Sequence, residues 1–379
     1  MLISYLLTGY LGIFTPFPQE EVHTVTFLVT APEHTEQIVL VGNLPSLGSW
    51  NPAHGRRMIL QEKGKFRLSL PLPEDTTIEY KLTRGSWETE ALNEEGGIPG
   101  NNKILIRKDT TLTHTVPEWK DYRQEPFGGI TGTIRYHKQF YSPQLKNKRD
   151  LAVWLPPSYD TEPTRRYPVL YVHDGQNLFT PFTAFQGQEW HLDEIATDLI
   201  ERNLMKEIII VGIYNTDRRT EEYSPLKSGA AYSDFLITTV KPFIDSTYRT
   251  QLGREDTAVM GSSLGGLIAF DLVWSHPQVF SMAACLSPAF LVDSSDMVNT
   301  VRLTTSPPDS IKLVILNGTE GLEAKLRPAV ETMVEALQNQ DYELGKNLIY
   351  QIIEGAEHNE RAWAGQVAIP LRFFFGTQP

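Results

Sequence analysis

Residues 256–274 read DTAVMGSSLGGLIAFDLVW, and this stretch decides how the larger part of the chain folds. An apolar, strand-like run leads into GSSLG at residues 261–265, which matches G-x-S-x-G, and an apolar helical run follows it. This order is typical of a nucleophile elbow, in which a serine occupies a sharp strand-to-helix turn between glycines that relieve crowding. The stretch therefore predicts Ser263 as a nucleophile. The alternative is a glycine-rich turn of a Rossmann-like unit.

The sequence around this motif alternates between two kinds of apolar segment. Near-continuous apolar runs of strand length are RDLAVWLP, YPVLYVHD, KEIIIVGI, FSMAACLS and IKLVILNG. Helical candidates lie between several of them: DEIATDLIERNL, SDFLITTVKPFIDSTY and RPAVETMVEALQNQ. Strands that alternate with helices predict βαβ units and a mostly parallel sheet buried on both faces. Because such sheets carry ligands at the carboxyl ends of their strands, we expect the chemistry in this half.

The preceding hundred residues have a different pattern. Val25, Phe27 and Val29 alternate with polar residues, and the strand-like runs QIVLVG, KFRLSLPL and IEYKLT follow between turn-rich pieces. Short strands at about ten-residue spacing predict an all-β, immunoglobulin-like sandwich. The predicted division is an apolar leader with the character of a signal segment (1–21), the sandwich (22–117), a polar linker (118–129) and the α/β domain (130–379).

Composition excludes several classes of protein. The chain has 379 residues and a net charge of −12, which counts against a partner of nucleic acid because phosphates require a basic surface. A single cysteine, Cys285, excludes an internal disulfide and a cysteine-based zinc site. Without an apolar stretch of about 18 residues, no membrane-spanning helix is expected. Export and retention in the cytoplasm both remain open, because the leader lacks a basic start and a small-residue cleavage site.

A serine nucleophile needs a base within hydrogen-bond reach, and an acid to orient that base. Two histidines follow Ser263: His276, at the end of the predicted helix, and His358, in the polar loop GAEHNERAW. The loop position favours His358 as the base. For the acid, Glu320 follows the strand IKLVILNG directly and is the first candidate, with Glu323 three residues further on as the alternative.

An oxyanion formed at the serine would need two backbone N–H donors. One is expected from Leu264, the residue after the nucleophile, and the other from Gln176, in the D-G-Q-N turn after the strand YPVLYVHD. Arg219, Glu222 and Tyr223, in RRTEEYSP, either shape the substrate side of the cleft or stabilise the fold; we favour the structural role.

These segments, in this order, resemble the esterase family typified by enterochelin esterase, whose fold is shared by feruloyl esterases, S-formylglutathione hydrolases and mycolyl transferases. The resemblance covers about residues 130–375. It implies an α/β-hydrolase fold and a catalytic triad of a serine, an acid and a histidine. Position by position these roles fall on Ser263, Glu320 and His358, with Gln176 as an oxyanion donor. NGTEG is one residue shorter than relatives often are, so Glu323 stays open.

The first domain resembles the starch-binding carbohydrate modules of families 20 and 48. The matching stretches are GNLPSLGSWNPAHG and IEYKLTRGSWETE. The resemblance implies a glucan site formed by Trp50, Lys81 and Trp87. The alternative is that one or both indoles fill the sandwich core, where a tryptophan buries much apolar area.

The sequence therefore predicts a serine carboxylic-ester hydrolase that carries a glycan-binding-like module to target or gate it. No metal and no organic cofactor is expected, and the partners are a small-molecule or glycan-linked ester and an α-glucan. Two alternatives remain: a glycan-binding protein with a silent hydrolase half, and an acyltransferase that uses the same residues.

Overall fold

The computed structural model of the protein describes residues 21–93, 98–122, 130–292 and 295–377. The chain divides into two units, residues 1–124 and 125–379. The predicted leader lies almost entirely outside the described residues, as does most of the predicted linker. The boundaries assigned from the sequence therefore stay predictions.

The first unit contains two four-stranded sheets, with the strand orders β4-β5-β1-β8 and β3-β2-β6-β7. The pairing of β1 with β8 is parallel, and the other pairings are antiparallel. The strands are β1 (Val22–Thr30), β2 (Val39–Gly42), β3 (Arg56–Arg57), β4 (Ile59–Glu62), β5 (Lys65–Pro73), β6 (Thr77–Thr83), β7 (Asn102–Leu105) and β8 (Thr110–Thr115).

One hydrophobic core lies between these two sheets. The alternation predicted for β1 is confirmed, because Val25, Phe27 and Val29 are at most 2% exposed. Phe27 of β1 and Tyr80 of β6 meet edge to face, with ring centroids 5.1 Å apart, and so join the two sheets. The unit is therefore a β-rich, two-sheet domain, while the immunoglobulin-like strand arrangement stays a prediction.

The second unit is built on one eight-stranded sheet with the order β18-β17-β14-β13-β11-β12-β10-β9. Neighbours are parallel except at β10, which is antiparallel to both β12 and β9. The strands are β9 (Thr133–Ser142), β10 (Asn147–Leu155), β11 (Val169–His173), β12 (Ile209–Ile213), β13 (Thr257–Ser262), β14 (Met282–Leu286), the short pair β15 (Leu291–Val292) and β16 (Ser295–Asp296), β17 (Lys312–Asn317) and β18 (Leu348–Ile352).

Helices connect most of these strands. They are α1 (Leu192–Glu201), α2 (Arg219–Glu222), α3 (Gly229–Phe235), α4 (Lys241–Thr247), α5 (Leu264–Ser275), α6 (Met297–Leu303), α7 (Leu322–Gln338), α8 (Glu360–Ala364) and α9 (Ala368–Phe375). A π-helical turn at Leu236–Val240 joins α3 to α4. The predicted mostly parallel α/β sheet is confirmed.

The apolar runs of the sequence are explained by burial on both faces of this sheet. Val259 of β13 belongs to the core on one face, whereas Ala258 and Met260 belong to the core on the other. Cys285, in β14, is fully buried, as expected for a core thiol. The edge strand β9 is not predicted by the sequence pattern, because a register shift opposite Arg149 and a left-handed Gln139 interrupt its alternation.

Candidate functional site

Ser263 occupies the turn between β13 and α5, as the motif predicts. Its backbone has φ 57° and ψ −120°, a conformation that L-residues rarely adopt. A Cβ atom added to Gly261 would lie 2.5 Å from the backbone of Gly265, so the turn requires glycine there. The Ser263 N–H donates to the Leu286 carbonyl of the neighbouring strand at 2.8 Å, which anchors the turn to the sheet.

His358 lies beside this serine, in the loop between β18 and α8. Its Nε2 is 3.0 Å from Ser263 Oγ, and its Nδ1 is 2.6 Å from Glu323 Oε1. The indole of Trp363 meets the imidazole edge to face, with centroids 5.0 Å apart. The three polar side chains thus form one continuous hydrogen-bonded line.

Glu323 is fully buried at the start of α7. Its Oε2 accepts the Gly318 N–H at 2.6 Å, and its carboxylate also interacts with the Ser287 hydroxyl. Ser287 Oγ in turn accepts the Trp363 Nε1–H at 2.8 Å. Burial raises the pKa of Glu323, but the bonds from His358, Ser287 and Gly318 outweigh it, so the pKa lies below its usual value. The carboxylate is therefore held ionised against the imidazole.

The structure places the alternative acid, Glu323, against His358, and not the first choice, Glu320. The N–H groups of Thr319 and Glu320 both donate to the Ala356 carbonyl, and the Glu320 side chain is exposed with a contact to Thr319 Oγ1 at 3.2 Å. The Glu323 N–H then donates to the Glu320 carbonyl at 3.0 Å. Because of this turn, the carboxylate of Glu323, and not that of Glu320, contacts the imidazole of His358.

The two predicted oxyanion donors lie on adjacent segments. Leu264 is the first residue of α5, and Gln176 lies in a short 3-10 turn after β11. The first N–H groups of a helix have no acceptor within it. A Cβ atom placed on Gly265 would lie 3.3 Å from Asp174 Oδ2, which puts the start of α5 next to the turn that carries Gln176. The oxyanion role of both N–H groups stays a prediction.

Asp174, which precedes this turn, is held by a buried network. Its φ is 58°, and its carboxylate forms two 2.7 Å bonds with the guanidinium of Arg219. The Asn215 amide donates to the same carboxylate at 2.6 Å. The Tyr223 hydroxyl accepts the Asp174 N–H at 3.2 Å. Arg219 and Tyr223 therefore hold the loop that carries Gln176.

Glu222 has a separate structural partner. Its carboxylate lies 3.0 Å from Arg149, and both side chains are completely buried. Asn147 donates a further bond to the same carboxylate oxygen at 2.6 Å. Glu222 therefore stabilises the core between β10 and α2, in agreement with the structural role favoured from the sequence.

Glu360 is a titratable group near the triad that the sequence reasoning did not select. Asn177 Nδ2 donates to it at 3.4 Å. Burial raises the pKa of Glu360 to about 7; the charge of Asp174 adds to this effect, while Arg219 and His358 oppose it. Glu360 lies two residues after His358 in the sequence, and this proximity could have identified it as a residue near the triad.

In the first unit, Trp50 and Trp87 lie side by side and partly exposed. Their ring centroids are 6.5 Å apart and their planes differ by 35°. Trp50 follows a left-handed turn, with φ 87° at Gly48 and φ 63° at Trp50 itself. Trp87 opens a 3-10 turn capped by Ser86. The two indoles are thus neighbours, and neither belongs to the sandwich core.

Lys81 does not join the indoles as a free donor. It is 6% exposed, and its ammonium group lies 2.5 Å from Glu90 Oε1, whose side chain is equally buried. Its charge is paired with that of Glu90 inside the domain. The role in a glucan site that the resemblance implies for Lys81 stays a prediction.

Two groups of side chains in the described ranges have the spacing of metal ligands: Glu21, His23 and Glu74, and Glu189, His191 and Glu194. Neither group includes a residue of the Ser263 line. Over the same ranges, none of the helices is both long and apolar enough to cross a lipid bilayer.

Comparison with known families agrees with this geometry. Residues 142–368 match the family model described as "Putative esterase", which covers more than half of the chain. The chain belongs to this esterase family. It is thus an enzyme of the carboxylic ester hydrolase class. Residues 22–116 of this esterase match the model described as "Starch binding domain".

Individual relatives match one or both of these two parts of the chain. An amylopullulanase of Thermoanaerobacter thermohydrosulfuricus is 35% identical over 103 residues, which are 26% of this chain and 7% of the relative. A ferulic acid esterase structure superposes with a TM-score of 0.54 at 20% identity, over 65% of this chain and 99% of the other. The enterobactin esterase of Shigella flexneri, with enterobactin present, reaches a TM-score of 0.56 at 13% identity, over 95% and 94%. At these identities the two structures show a shared fold.

Proposed function

We propose that this esterase hydrolyses carboxylic esters through Ser263, His358 and Glu323, by way of an acyl-enzyme. The observation that carries the proposal is the continuous line from Ser263 Oγ through both imidazole nitrogens to Glu323. A serine hydroxyl becomes a nucleophile when a base accepts its proton, and the base is effective when an acid fixes its tautomer.

The steps follow from these positions. His358 Nε2 accepts the Ser263 proton while Oγ bonds to the ester carbonyl carbon. The C–O bond to the alcohol then breaks, and the imidazolium returns its proton to the leaving oxygen. Water then gives a proton to the same nitrogen and attacks the acyl carbon. The bond between this carbon and Ser263 Oγ breaks, Oγ takes the proton back from the imidazolium, and the carboxylic acid leaves. Glu323 stabilises the imidazolium at Nδ1 in both halves of the reaction.

The negative charge on the carbonyl oxygen needs donors that are already in place. The N–H groups of Leu264 and Gln176 serve this role in the proposal, because Leu264 begins α5 and Gln176 lies in the 3-10 turn that follows β11, next to the start of α5. Arg219 and Asp174 act through Gln176 as positioning residues.

Hydrolysis of p-nitrophenyl acetate and butyrate tests the catalytic assignment. Ser263→Ala is expected to lower kcat by about 10³-fold or more with an unchanged unfolding temperature. Ser275→Ala, an exposed serine on the same helix, is the matched control and should keep wild-type activity. Equal activity in wild type and Ser263→Ala would refute the assignment.

The same experiment addresses the two other hypotheses. Transfer of the acyl group to an added alcohol, in preference to water, would identify an acyltransferase with the same triad. No turnover in the wild type, together with glucan binding, would favour a binding protein with a silent hydrolase half. The complete Ser-His-Glu geometry argues against a silent hydrolase half.

For the first unit we propose an α-glucan surface formed by Trp50 and Trp87. Two neighbouring, partly exposed indoles offer flat apolar area to sugar rings, and the match to the starch binding domain indicates the ligand class. An acyl ester carried on or near a glucan is then the natural substrate, because the module would raise its local concentration.

Sedimentation with insoluble starch tests this surface. Trp50→Ala and Trp87→Ala are each expected to reduce the bound fraction by roughly tenfold. Ile59→Ala removes an exposed apolar side chain, 64% accessible, from β4 in the other sheet and should have no effect. Retention of starch binding by both tryptophan variants would exclude this surface.

A further inference from the structure

A cluster of four ionisable residues lies at the start of α1, on the segment 189–194. His191 Nδ1 is 3.7 Å from Glu189 Oε1 and 3.7 Å from Glu194 Oε1. One donor atom from each of these three residues lies within 4.8 Å of the other two. The Glu189 side chain is 4% exposed, and the adjacent Asp193 is completely buried.

Apart from His191, no basic side chain among the described residues faces the carboxylates of this cluster. Glu189 Oε2, Asp193 Oδ1 and Glu194 Oε2 are all buried without a hydrogen-bond partner among the described residues. No lysine or arginine of the described ranges lies within ion-pair distance of the three carboxylates. The Thr131 N–H donates to Asp193 Oδ2 at 2.7 Å. A buried, unpaired carboxylate is costly, so the site calls for a cation or for bound protons.

We propose that Glu189, His191 and Glu194 bind a divalent metal ion. The donors are one imidazole nitrogen and two carboxylates, a set that suits Zn²⁺ or Mn²⁺ better than Ca²⁺ or Mg²⁺, which prefer oxygen alone. Donors bound to Zn²⁺ at about 2.0–2.1 Å in a tetrahedral site lie roughly 3.4 Å apart, close to the 3.7 Å separations here.

The ion would stiffen a segment that supports the catalytic loops. The Trp190 N–H donates to the Asn177 carbonyl at 2.8 Å, next to Gln176. The Trp190 ring packs on Trp363, with centroids 6.1 Å apart, and Trp363 packs on His358. Metal binding therefore has a structural role, and the proposal does not depend on the esterase mechanism.

Metal titration of the chelator-treated full chain tests the proposal. Calorimetry with ZnCl₂, MnCl₂, CaCl₂ and MgCl₂ is expected to show one Zn²⁺ or Mn²⁺ per chain. A saturating ion should raise the unfolding temperature by roughly 5 °C, because it binds only the folded state. Glu189→Gln and Glu194→Gln should weaken binding by about 30-fold or more.

Two controls make the result specific. Glu201→Gln, at the exposed end of α1, should bind like the wild type. His23→Ala removes the other candidate group and should also leave this site intact. Glu189→Gln should fold in chelator at least as well as the wild type, because it removes an unpaired buried carboxylate. Wild-type affinity in Glu189→Gln and Glu194→Gln, or no binding of any of the four ions, would overturn the proposal.

Discussion

Glu323 Oε1 and His358 Nδ1 lie 2.6 Å apart, although 35 residues separate them in the chain. They meet because α7 follows β17 and the histidine loop follows β18, and these two strands are parallel neighbours in the sheet. The Ala356 carbonyl accepts N–H groups from Thr319 and Glu320, which ties one loop to the other. The pair is thus a product of strand order.

Substitution of each candidate acid by glutamine, in separate variants, distinguishes the role of Glu323 from that of Glu320. Glu323→Gln is expected to lower kcat by about 10³-fold or more, because the amide cannot hold the imidazole tautomer or stabilise the imidazolium. Glu320→Gln, an equal change on an exposed side chain, should keep wild-type turnover of p-nitrophenyl butyrate. A loss in Glu320→Gln with full activity in Glu323→Gln would reverse the assignment.

Ser287 is expected to act as a positioning residue behind Glu323. Ser287→Ala removes a hydroxyl that interacts with the carboxylate and leaves Trp363 Nε1 without its acceptor. Because hydrogen bonds to charged groups are worth about 1.5–3 kcal/mol, we expect kcat to fall roughly tenfold to 100-fold with KM little changed. Steady-state kinetics at constant pH measure this split, and a change in KM alone would contradict the role.

Arg219 should matter for turnover through Asp174. Arg219→Lys loses the two-pronged bond to the carboxylate, so the loop carrying Gln176 is held less firmly. We expect kcat to fall about tenfold, measured well below the unfolding temperature. The neighbouring Arg218→Lys, on an exposed side chain paired with Glu221, is the control. If Arg219→Lys lowered only the unfolding temperature, the residue would have a purely structural role.

Glu360 is expected to influence the pH dependence of the reaction. Its pKa of about 7 means that it gains negative charge as the pH rises through neutrality, near His358, Arg219 and Asp174. A charge there stabilises the imidazolium that forms in the transition state. The ratio of wild-type to Glu360→Gln kcat should therefore rise roughly threefold or more between pH 6 and pH 8. Superimposable pH profiles would show that this carboxyl does not affect the base.

The same ionisation has a consequence for stability. Because the folded-state pKa of Glu360 is raised from 4.5 to about 7, the native state keeps a proton that the unfolded state loses between these values. The free energy of unfolding therefore falls as the pH rises through that window. Glu360→Gln cannot ionise and should be more stable than the wild type at pH 8, with little difference near pH 5. Thermal unfolding at both pH values measures this, and equal midpoints at pH 8 would contradict it.

Much of the fold follows from periodicity. The apolar runs that become β10 to β14 and β17 are buried on both faces of the sheet. A continuous apolar run of strand length is therefore enough to predict a strand that is covered on both faces. The strand β9 escapes this reasoning, because its backbone irregularity at Gln139 breaks the alternation that marks a strand.

The sequence by itself determined the residues that depend on local geometry. Ser263 is identified by glycines that its turn requires, and His358 by its place in the loop after the last strand. What only the tertiary structure decided is which acid meets that histidine and whether Lys81 reaches the surface. Glu320 and Glu323 lie only three residues apart, and both are glutamates. The sequence therefore does not reveal which of the two side chains faces the neighbouring loop. In the folded protein the Ala356 carbonyl accepts the N–H groups of Thr319 and Glu320, and the Glu320 side chain faces solvent. Long-range contacts of this kind have no signature in the order of residues.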